Sequence, residues 1–176
     1  MAGDRHRYVV NVADLLRRPS SRKDVAVEVA AHDLTVVDSE VPDGSAVNAA
    51  FELESLTDGI VVVGRVQAPW AGHCRRCLTG VVGQLDVAVR ELYQVEPETE
   101  DAFSLDGDQL DLEPVVREAL LLELPLAPLC RSDCAGLCPR CGANRNEGLC
   151  RCAVAPADGR WGALDELKQQ LGGDEA

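Results

Sequence analysis

The chain has 176 residues, with 30 acidic and 17 basic side chains and a formal net charge of −13; 46% of its residues are hydrophobic but only 3% are aromatic. This length fits one compact domain with a small appendage. Because aromatic residues are few, the core of the domain must be built from Val, Leu and Ala. We expect a cytoplasmic protein that does not span a membrane, since no apolar run has the required length. Proteins that hold nucleic acid by neutralising phosphates are normally basic, so an RNA contact here needs a local basic patch or a basic protein partner.

Residues 1–23 form the most basic part of the chain, with six basic side chains against two acidic ones. A short strand over residues 8–12 and a helical turn over residues 13–18 are predicted there. Two interpretations stay open for this segment. It contacts RNA or the ribosome, or it is a solvated edge whose charges balance the acidic middle of the chain.

Alternating apolar residues predict an antiparallel sheet in the first half of the chain. Val25, Val27 and Val29 mark one strand. Residues 47–56 and 60–66 form an antiparallel pair joined by a turn at 57–59. A third strand follows, with apolar side chains at 85, 87 and 89 on one face.

Cys74-Arg-Arg-Cys77 lies between the second strand of that pair and the third strand. A connection between strands does not supply the helix N-terminus that acidifies a thioredoxin-like thiol. Three roles stay open for Cys74 and Cys77. They are structural thiols, or metal ligands completed by His73 or by Cys150 and Cys152, or redox-active residues.

Residues 91–113 carry nine carboxylates and no Lys or Arg. A solvated loop is the simplest interpretation, and attraction of a basic ribosomal protein or mimicry of RNA is the alternative. Asp111 then begins a predicted helix over residues 111–123 as its N-cap. Apolar residues at 112, 115, 116, 119 and 120 share one helical face, which we expect to cover the sheet.

Six of the 8 cysteines fall within residues 130–152. A thiolate is a preferred ligand of Zn²⁺, which takes four in a tetrahedron, and a Cys-x2-Cys pair beside a second cysteine pair is typical of such sites. The favoured ligands are the continuously spaced series Cys130, Cys134, Cys138 and Cys141. Cys150 or Cys152 could replace one of the upstream pair, and a disulfide cluster or buried thiols remain as alternatives.

Arginines accompany these cysteines on an otherwise acidic chain: Arg131, Arg140, Arg145 and Arg151. They are candidates for contacting RNA phosphates or an acidic protein face. Alternatively, they offset the net charge of −2 on a zinc ion with four thiolates.

Three motifs in combination resemble the YceD family: Leu124-Pro-Leu-Ala-Pro-Leu-Cys130, the Gly-Leu-Cys-Pro-Arg-Cys-Gly string at 136–142, and Cys74-Arg-Arg-Cys77-Leu. The resemblance runs from about residue 47 to 161. After the second motif the family's Gly-x-Asn-Leu-Asn reads Gly-Ala-Asn-Arg-Asn here, so the match is partial there. The family is linked to accumulation of the large-subunit (23S) ribosomal RNA. The resemblance implies a partner that is large-subunit ribosomal RNA or a basic ribosomal protein.

The sequence shows no catalytic motif, and four thiolates would leave a zinc ion without an open position. We therefore expect a non-enzymatic factor in ribosome large-subunit biogenesis with structural Zn²⁺. The alternative is a thiol redox or metal sensor that uses Cys74 and Cys77.

The predicted fold is α+β. An antiparallel β-sheet covered by a helix forms a core over residues 1–128, including the basic N-terminal segment. A small zinc-ribbon-like segment follows at 129–153. A linker and a terminal helix occupy residues 154–176, with an apolar stripe at Trp161, Leu164, Leu167 and Leu171.

Overall fold

A computed structural model describes residues 8–97, 102–148 and 150–152, together with Leu164 and Leu167. The chain divides into two compact units, Met1–Gly136 and Leu137–Ala176. Their boundary falls inside the predicted segment 129–153. Cys130 and Cys134 therefore belong to the first unit, whereas Cys138 and Cys141 belong to the second.

The first unit is mainly β-structure. Its elements in the described residues are β1 (Val9–Asn11), α1 (Ala13–Leu16), β2 (Arg22–Ala30), β3 (Leu34–Thr35), β4 (Ser39–Val41), β5 (Ala46–Ser55), β6 (Gly59–His73), β7 (Gly80–Gln94), β8 (Phe103–Ser104), β9 (Gln109–Asp111) and α2 (Glu113–Glu123). The antiparallel sheet of the sequence analysis is confirmed, and few helices accompany it.

Seven strands form the main sheet, in which β6 is central. One edge of β6 pairs with β5 and then, near its end, with β4; its other edge pairs with β7 along the whole length of both strands. β2 pairs with β5, and β3 with β4, all antiparallel. β8 adds to β7 in parallel, and β1 pairs with β9 as a separate ribbon.

The alternating pattern of β5 places its apolar side chains on one face. Val47, Ala49, Phe51 and Leu53 are buried, and the residues between them are exposed. Because successive side chains in a strand point to opposite faces, one face of β5 joins the core and the other meets solvent. The predicted pairing of residues 47–56 with 60–66 is thus present.

Helix α2 packs its apolar side on this core through Val115, Val116 and Leu120. The N-cap residue of the helix is Leu112, not Asp111 as predicted. The Asp111 carboxylate still accepts the backbone N–H of Glu113 at 2.9 Å, so it satisfies one of the free donors at the helix start.

Tyr93 joins the sheet to the segment before α2. Its ring is buried and stacks on Phe103, with 5.1 Å between ring centroids, and its hydroxyl donates to the carbonyl of Asp111 at 2.7 Å. Burial, with the nearby carboxylates of Asp111 and Glu91, raises the pKa of Tyr93 well above its usual value. The hydroxyl therefore remains a donor at every physiological pH.

Replacement of Tyr93 by phenylalanine is expected to lower the free energy of unfolding by about 1 kcal/mol, because one hydrogen bond is lost while ring packing is kept. Urea denaturation of the two proteins measures this difference. An unchanged midpoint would show that the 2.7 Å hydroxyl contact contributes nothing to stability.

Some sequence predictions fall outside the described residues. These are Arg5 and Arg7 of the basic N-terminal segment, residues 98–101 of the acidic loop, the linker, and Trp161 and Leu171 of the terminal helix. Leu164 and Leu167 are described, and both are helical. Within the described ranges, no helix combines the length and apolarity needed to cross a membrane.

Candidate metal centres

The described cysteines gather into two groups of four. The first contains Cys74, Cys77, Cys130 and Cys134; the second contains Cys138, Cys141, Cys150 and Cys152. Within each group the sulfur atoms all lie within 4.8 Å of one another. All eight cysteines are free thiols.

The long β6–β7 hairpin positions the first cysteine pair. β6 ends at His73 and β7 begins at Gly80, so Cys74 and Cys77 lie in the connection between them. The prediction that this motif lies between strands is confirmed. Cys130 and Cys134 are supplied by the segment that follows α2.

The sulfur–sulfur distances in this group have the dimensions of a metal site. Cys74 Sγ lies 3.8 Å from Cys134 Sγ, and Cys77 Sγ lies 3.6 Å from Cys130 Sγ. Both exceed the roughly 2.05 Å of a disulfide bond. A tetrahedral ion with metal–sulfur bonds of about 2.3 Å would separate its ligands by about 3.8 Å. The four sulfurs are therefore spaced to surround one ion.

One backbone and one side-chain hydrogen bond hold the hairpin tip against the segment that carries Cys130 and Cys134. The N–H of Arg75 donates to the carbonyl of Pro128 at 3.0 Å. The Arg76 guanidinium donates to the carbonyl of Cys134 at 3.1 Å. Both arginines lie between the two cysteines of the tip, so the same short loop supplies two ligands and fixes the segment that supplies the other two.

The two Cys-x2-Cys motifs have the same backbone hydrogen bonds. In the first, Cys74 N–H donates to Thr79 O at 2.8 Å, and Leu78 N–H donates back to Cys74 O at 2.8 Å. In the second, Cys138 N–H donates to Ala143 O at 2.8 Å, and Gly142 N–H to Cys138 O at 2.9 Å.

The residue after each second cysteine has a positive φ, 60° at Leu78 and 72° at Gly142. Glycine adopts this conformation without cost, whereas leucine does not. The glycine at 142 is therefore typical of such a turn, whereas the leucine at 78 does not indicate the equivalent turn at the hairpin tip.

The second group belongs entirely to the second unit. An isolated bridge pairs Leu137 with Asn144, and this closes the turn that contains Cys138 and Cys141. The Asn144 side chain donates to the Glu147 carboxylate at 2.9 Å and accepts the backbone N–H of Asn146 at 3.0 Å. These local bonds shape the loop that leads to Cys150 and Cys152.

The first cysteine of each Cys-x2-Cys motif has a lowered pKa. Burial of Cys74 opposes ionisation, but hydrogen bonds from the backbones of Cys130, Arg76 and Cys77 outweigh it and lower the pKa of Cys74 to about 6. The backbones of Cys141 and Arg140, with the thiol of Cys150, lower the pKa of Cys138 to about 6. The first cysteine of each motif is thus prepared to be a thiolate.

Each group also contains a thiol that resists ionisation. Desolvation, together with the thiols of Cys134 and Cys77, raises the pKa of Cys130 to about 12. The thiol of Cys141, together with burial, raises the pKa of Cys152 to about 12. A cation at the centre of each group would remove this resistance, because a metal deprotonates the thiols that bind it. The donor sets therefore fit metal ions.

The predicted single site at Cys130, Cys134, Cys138 and Cys141 needs correction. The structure does not bring these four residues together. Cys130 and Cys134 lie in the first group, and Cys138 and Cys141 lie in the second. Cys130 and Cys134 join the hairpin tip, because the segment after α2 runs beside that tip. Cys138 and Cys141 join the pair that follows them.

Two further expectations concern the hairpin tip. His73 ends β6 with an exposed side chain and belongs to neither group. Cys74 and Cys77 are 0% and 5% exposed. Redox-active cysteines are normally accessible, so this arrangement does not favour the thiol-switch alternative.

The four arginines of the sequence analysis are all exposed. Arg131 pairs with the carboxylate of Asp133 at 3.3 Å in the first unit. Arg140 lies inside the second Cys-x2-Cys motif. Arg145 lies on the connection between Cys141 and Cys150, and Arg151 lies between Cys150 and Cys152. Residues 137–152 thus carry three arginines and one glutamate.

Fold and site together define a mainly β protein with two four-cysteine groups of metal-site dimensions. The model of the YceD family, described as "Large ribosomal RNA subunit accumulation protein YceD", matches residues 62–168, more than half of the chain. This chain belongs to the YceD family, and the resemblance in the sequence is confirmed.

Relatives of the chain occur in bacteria and plants. An uncharacterised protein of Mycobacterium tuberculosis is 34% identical, covering 90% of this chain and 80% of its own length. An uncharacterised protein of Bacillus subtilis is 23% identical over 69% of this chain and 73% of its own length. A chloroplastic protein of Arabidopsis thaliana, named large ribosomal RNA subunit accumulation protein YCED homolog 1, is 33% identical over 39% of this chain and 22% of its own length. No solved structure matches the chain.

Proposed function

We propose that this protein is a non-enzymatic factor in ribosome large-subunit biogenesis, acting in the cytoplasm to support the synthesis, processing or stability of 23S ribosomal RNA. The observation that carries the proposal is membership of a family whose model is described by accumulation of the large ribosomal RNA. The name of the distant chloroplastic relative agrees with it.

The metal in this proposal is structural Zn²⁺. Four thiolates in a tetrahedron suit zinc, and hard cations such as Mg²⁺ prefer oxygen ligands. When bound, zinc would supply folding energy and local rigidity. Four protein ligands leave no position for a water nucleophile, which supports a role in binding over a role in catalysis.

The proposed contact surface is formed by Arg140, Arg145 and Arg151 in the second unit. The planar guanidinium groups suit bidentate contacts with phosphate oxygens. Residues 137–152 are basic by two charges before the thiolates are counted, whereas the whole chain has a net charge of −13. These three arginines offer local contacts to ribosomal RNA on an acidic chain, and the carboxylates elsewhere suit a basic ribosomal protein.

Depletion of the protein tests the function. We expect the ratio of 23S to 16S ribosomal RNA to fall, because large-subunit RNA that is not matured or protected is degraded. RNA quantification before and after depletion, with re-expression of the wild-type chain as the control, measures the ratio. An unchanged ratio would refute the proposed function.

Direct RNA binding has its own prediction. The triple variant R140A/R145A/R151A should bind a 23S RNA fragment more weakly, with the slope of log affinity against log salt reduced by about 2 to 3, since each lost phosphate contact removes about one. R22A/R65A/R90A removes three exposed arginines of the sheet and serves as the charge-matched control. Equal losses in both variants would point to net charge alone and refute the contact surface.

A further inference from the structure

We propose that the chain binds two zinc ions with different structural roles. The ion of the first group fastens the β6–β7 hairpin tip to the segment after α2, in a unit that already has a core. The ion of the second group provides the order of residues 137–152. This inference deepens the zinc part of the proposed function and does not depend on the ribosomal role.

Repetition of one ligand arrangement supports two sites. The motifs beginning at Cys74 and Cys138 share two backbone hydrogen bonds and a positive φ after the second cysteine. Each motif is completed by one further pair, so all eight cysteines have a place as ligands. If only one ion were bound, one complete set of four converging thiols would have no metal to coordinate.

The first unit does not need its ion to form a core. Twenty-five buried hydrophobic residues make one cluster that spans β2, β5, β6, β7 and α2. The cysteines lie at one end of this unit, on the hairpin tip and the segment after α2. Loss of an ion there would free the tip and that segment, and would leave the pairing in the middle of the sheet intact.

The second unit has no comparable core in its described residues. Of residues 137–148 and 150–152, Cys138 alone is buried. The hydrogen bonds described within this unit are local and join residues that are close along the chain. Segments this short fold when a metal supplies the energy that burial cannot. The second ion is therefore the main source of order there.

Exposure of the ligands also differs between the groups. The first group has three buried ligands and one exposed ligand, Cys130. In the second group only Cys138 is buried, Cys141 is exposed, and Cys150 and Cys152 are half-buried. A chelator reaches a site more readily when fewer of its ligands are buried. We expect EDTA to remove the second ion faster than the first.

Zinc quantification on the full chain, purified under reducing conditions, tests the number of ions. We expect two zinc ions in the wild type and one in each of the double variants C74S/C77S and C138S/C141S. The single variants R75S and R140S change the same two loops without removing a ligand and should keep two. One zinc ion or none in the wild type, or iron in its place, would overturn the proposal.

Hydrogen exchange measured by mass spectrometry tests the two roles. In C138S/C141S, amides of residues 137–152 should exchange at the rate of an unfolded peptide, with protection of β5, β6 and β7 unchanged. In C74S/C77S, exchange should rise at residues 74–79 and 128–134 and stay slow in 137–152. Retained protection of 137–152 in C138S/C141S would overturn the proposal. Because both measurements use the purified chain, their failure is separate from a failure of the ribosomal RNA test.

Discussion

Replacement of Gly64 by alanine is expected to lower the free energy of unfolding of the first unit by about 3 kcal/mol or more, at or beyond the upper end for an overpacked core. Gly64 lies in the centre of β6, opposite Phe51 of β5 and Val89 of β7. A Cβ atom there would lie 2.0 Å from the carbonyl oxygen of Ala50 and 2.6 Å from the ring of Phe51. The first of these atoms belongs to the backbone, so β5 itself would have to move.

Gly80 provides the matched control for this substitution. It begins β7 in the same hairpin, and a Cβ atom there meets nothing within 4 Å. We expect Gly80→Ala to change stability by less than about 0.5 kcal/mol. Urea denaturation followed by Trp70 fluorescence, with Trp161→Phe in every protein, reports on the first unit alone. Similar stabilities for the two alanine variants would show that the approach of β5 to Gly64 is not close.

The sequence was informative about the strands because their signal is local. Alternation in residues 47–56 and the turn at 57–59 predict β5 and the start of β6, and both are present. The prediction ended the second strand at residue 66, whereas β6 continues through Pro69 to His73. On one edge of β6, pairing with β5 ends at Gln67 and pairing with β4 begins at Ala71. Pro69 lies in the gap between them, where no backbone N–H is needed as a donor. The sequence alone does not reveal such a gap.

The division of the cysteines could not be read from spacing, because it depends on distant parts of the chain. Cys77 and Cys130 are 53 positions apart and meet only after the sheet and α2 have formed. An argument from spacing favours cysteines that are close in sequence, so it placed Cys134 and Cys138 in the same site. The number of cysteines was the available signal, since two Cys-x2-Cys motifs with one further pair each make two complete sets of four.

Replacement of Leu120 by alanine is the second substitution with a large expected effect. Leu120 is 0% exposed on the face of α2 that packs against the core. Removal of three carbon atoms from a site with no access to solvent leaves a cavity, and such changes cost about 2–5 kcal/mol. We expect the free energy of unfolding of the first unit to fall by an amount in this range, measured by urea denaturation with Trp70 as the reporter.

Leu122 of the same helix separates this packing effect from helix propensity. Its side chain is 78% exposed, and alanine is at least as good a helix former as leucine. Leu122→Ala should therefore change stability by less than about 0.5 kcal/mol. Equal losses at positions 120 and 122 would mean that α2 does not pack on the sheet through the face that carries Leu120. In that case the segment after the helix, which supplies Cys130 and Cys134, would not be positioned by that packing.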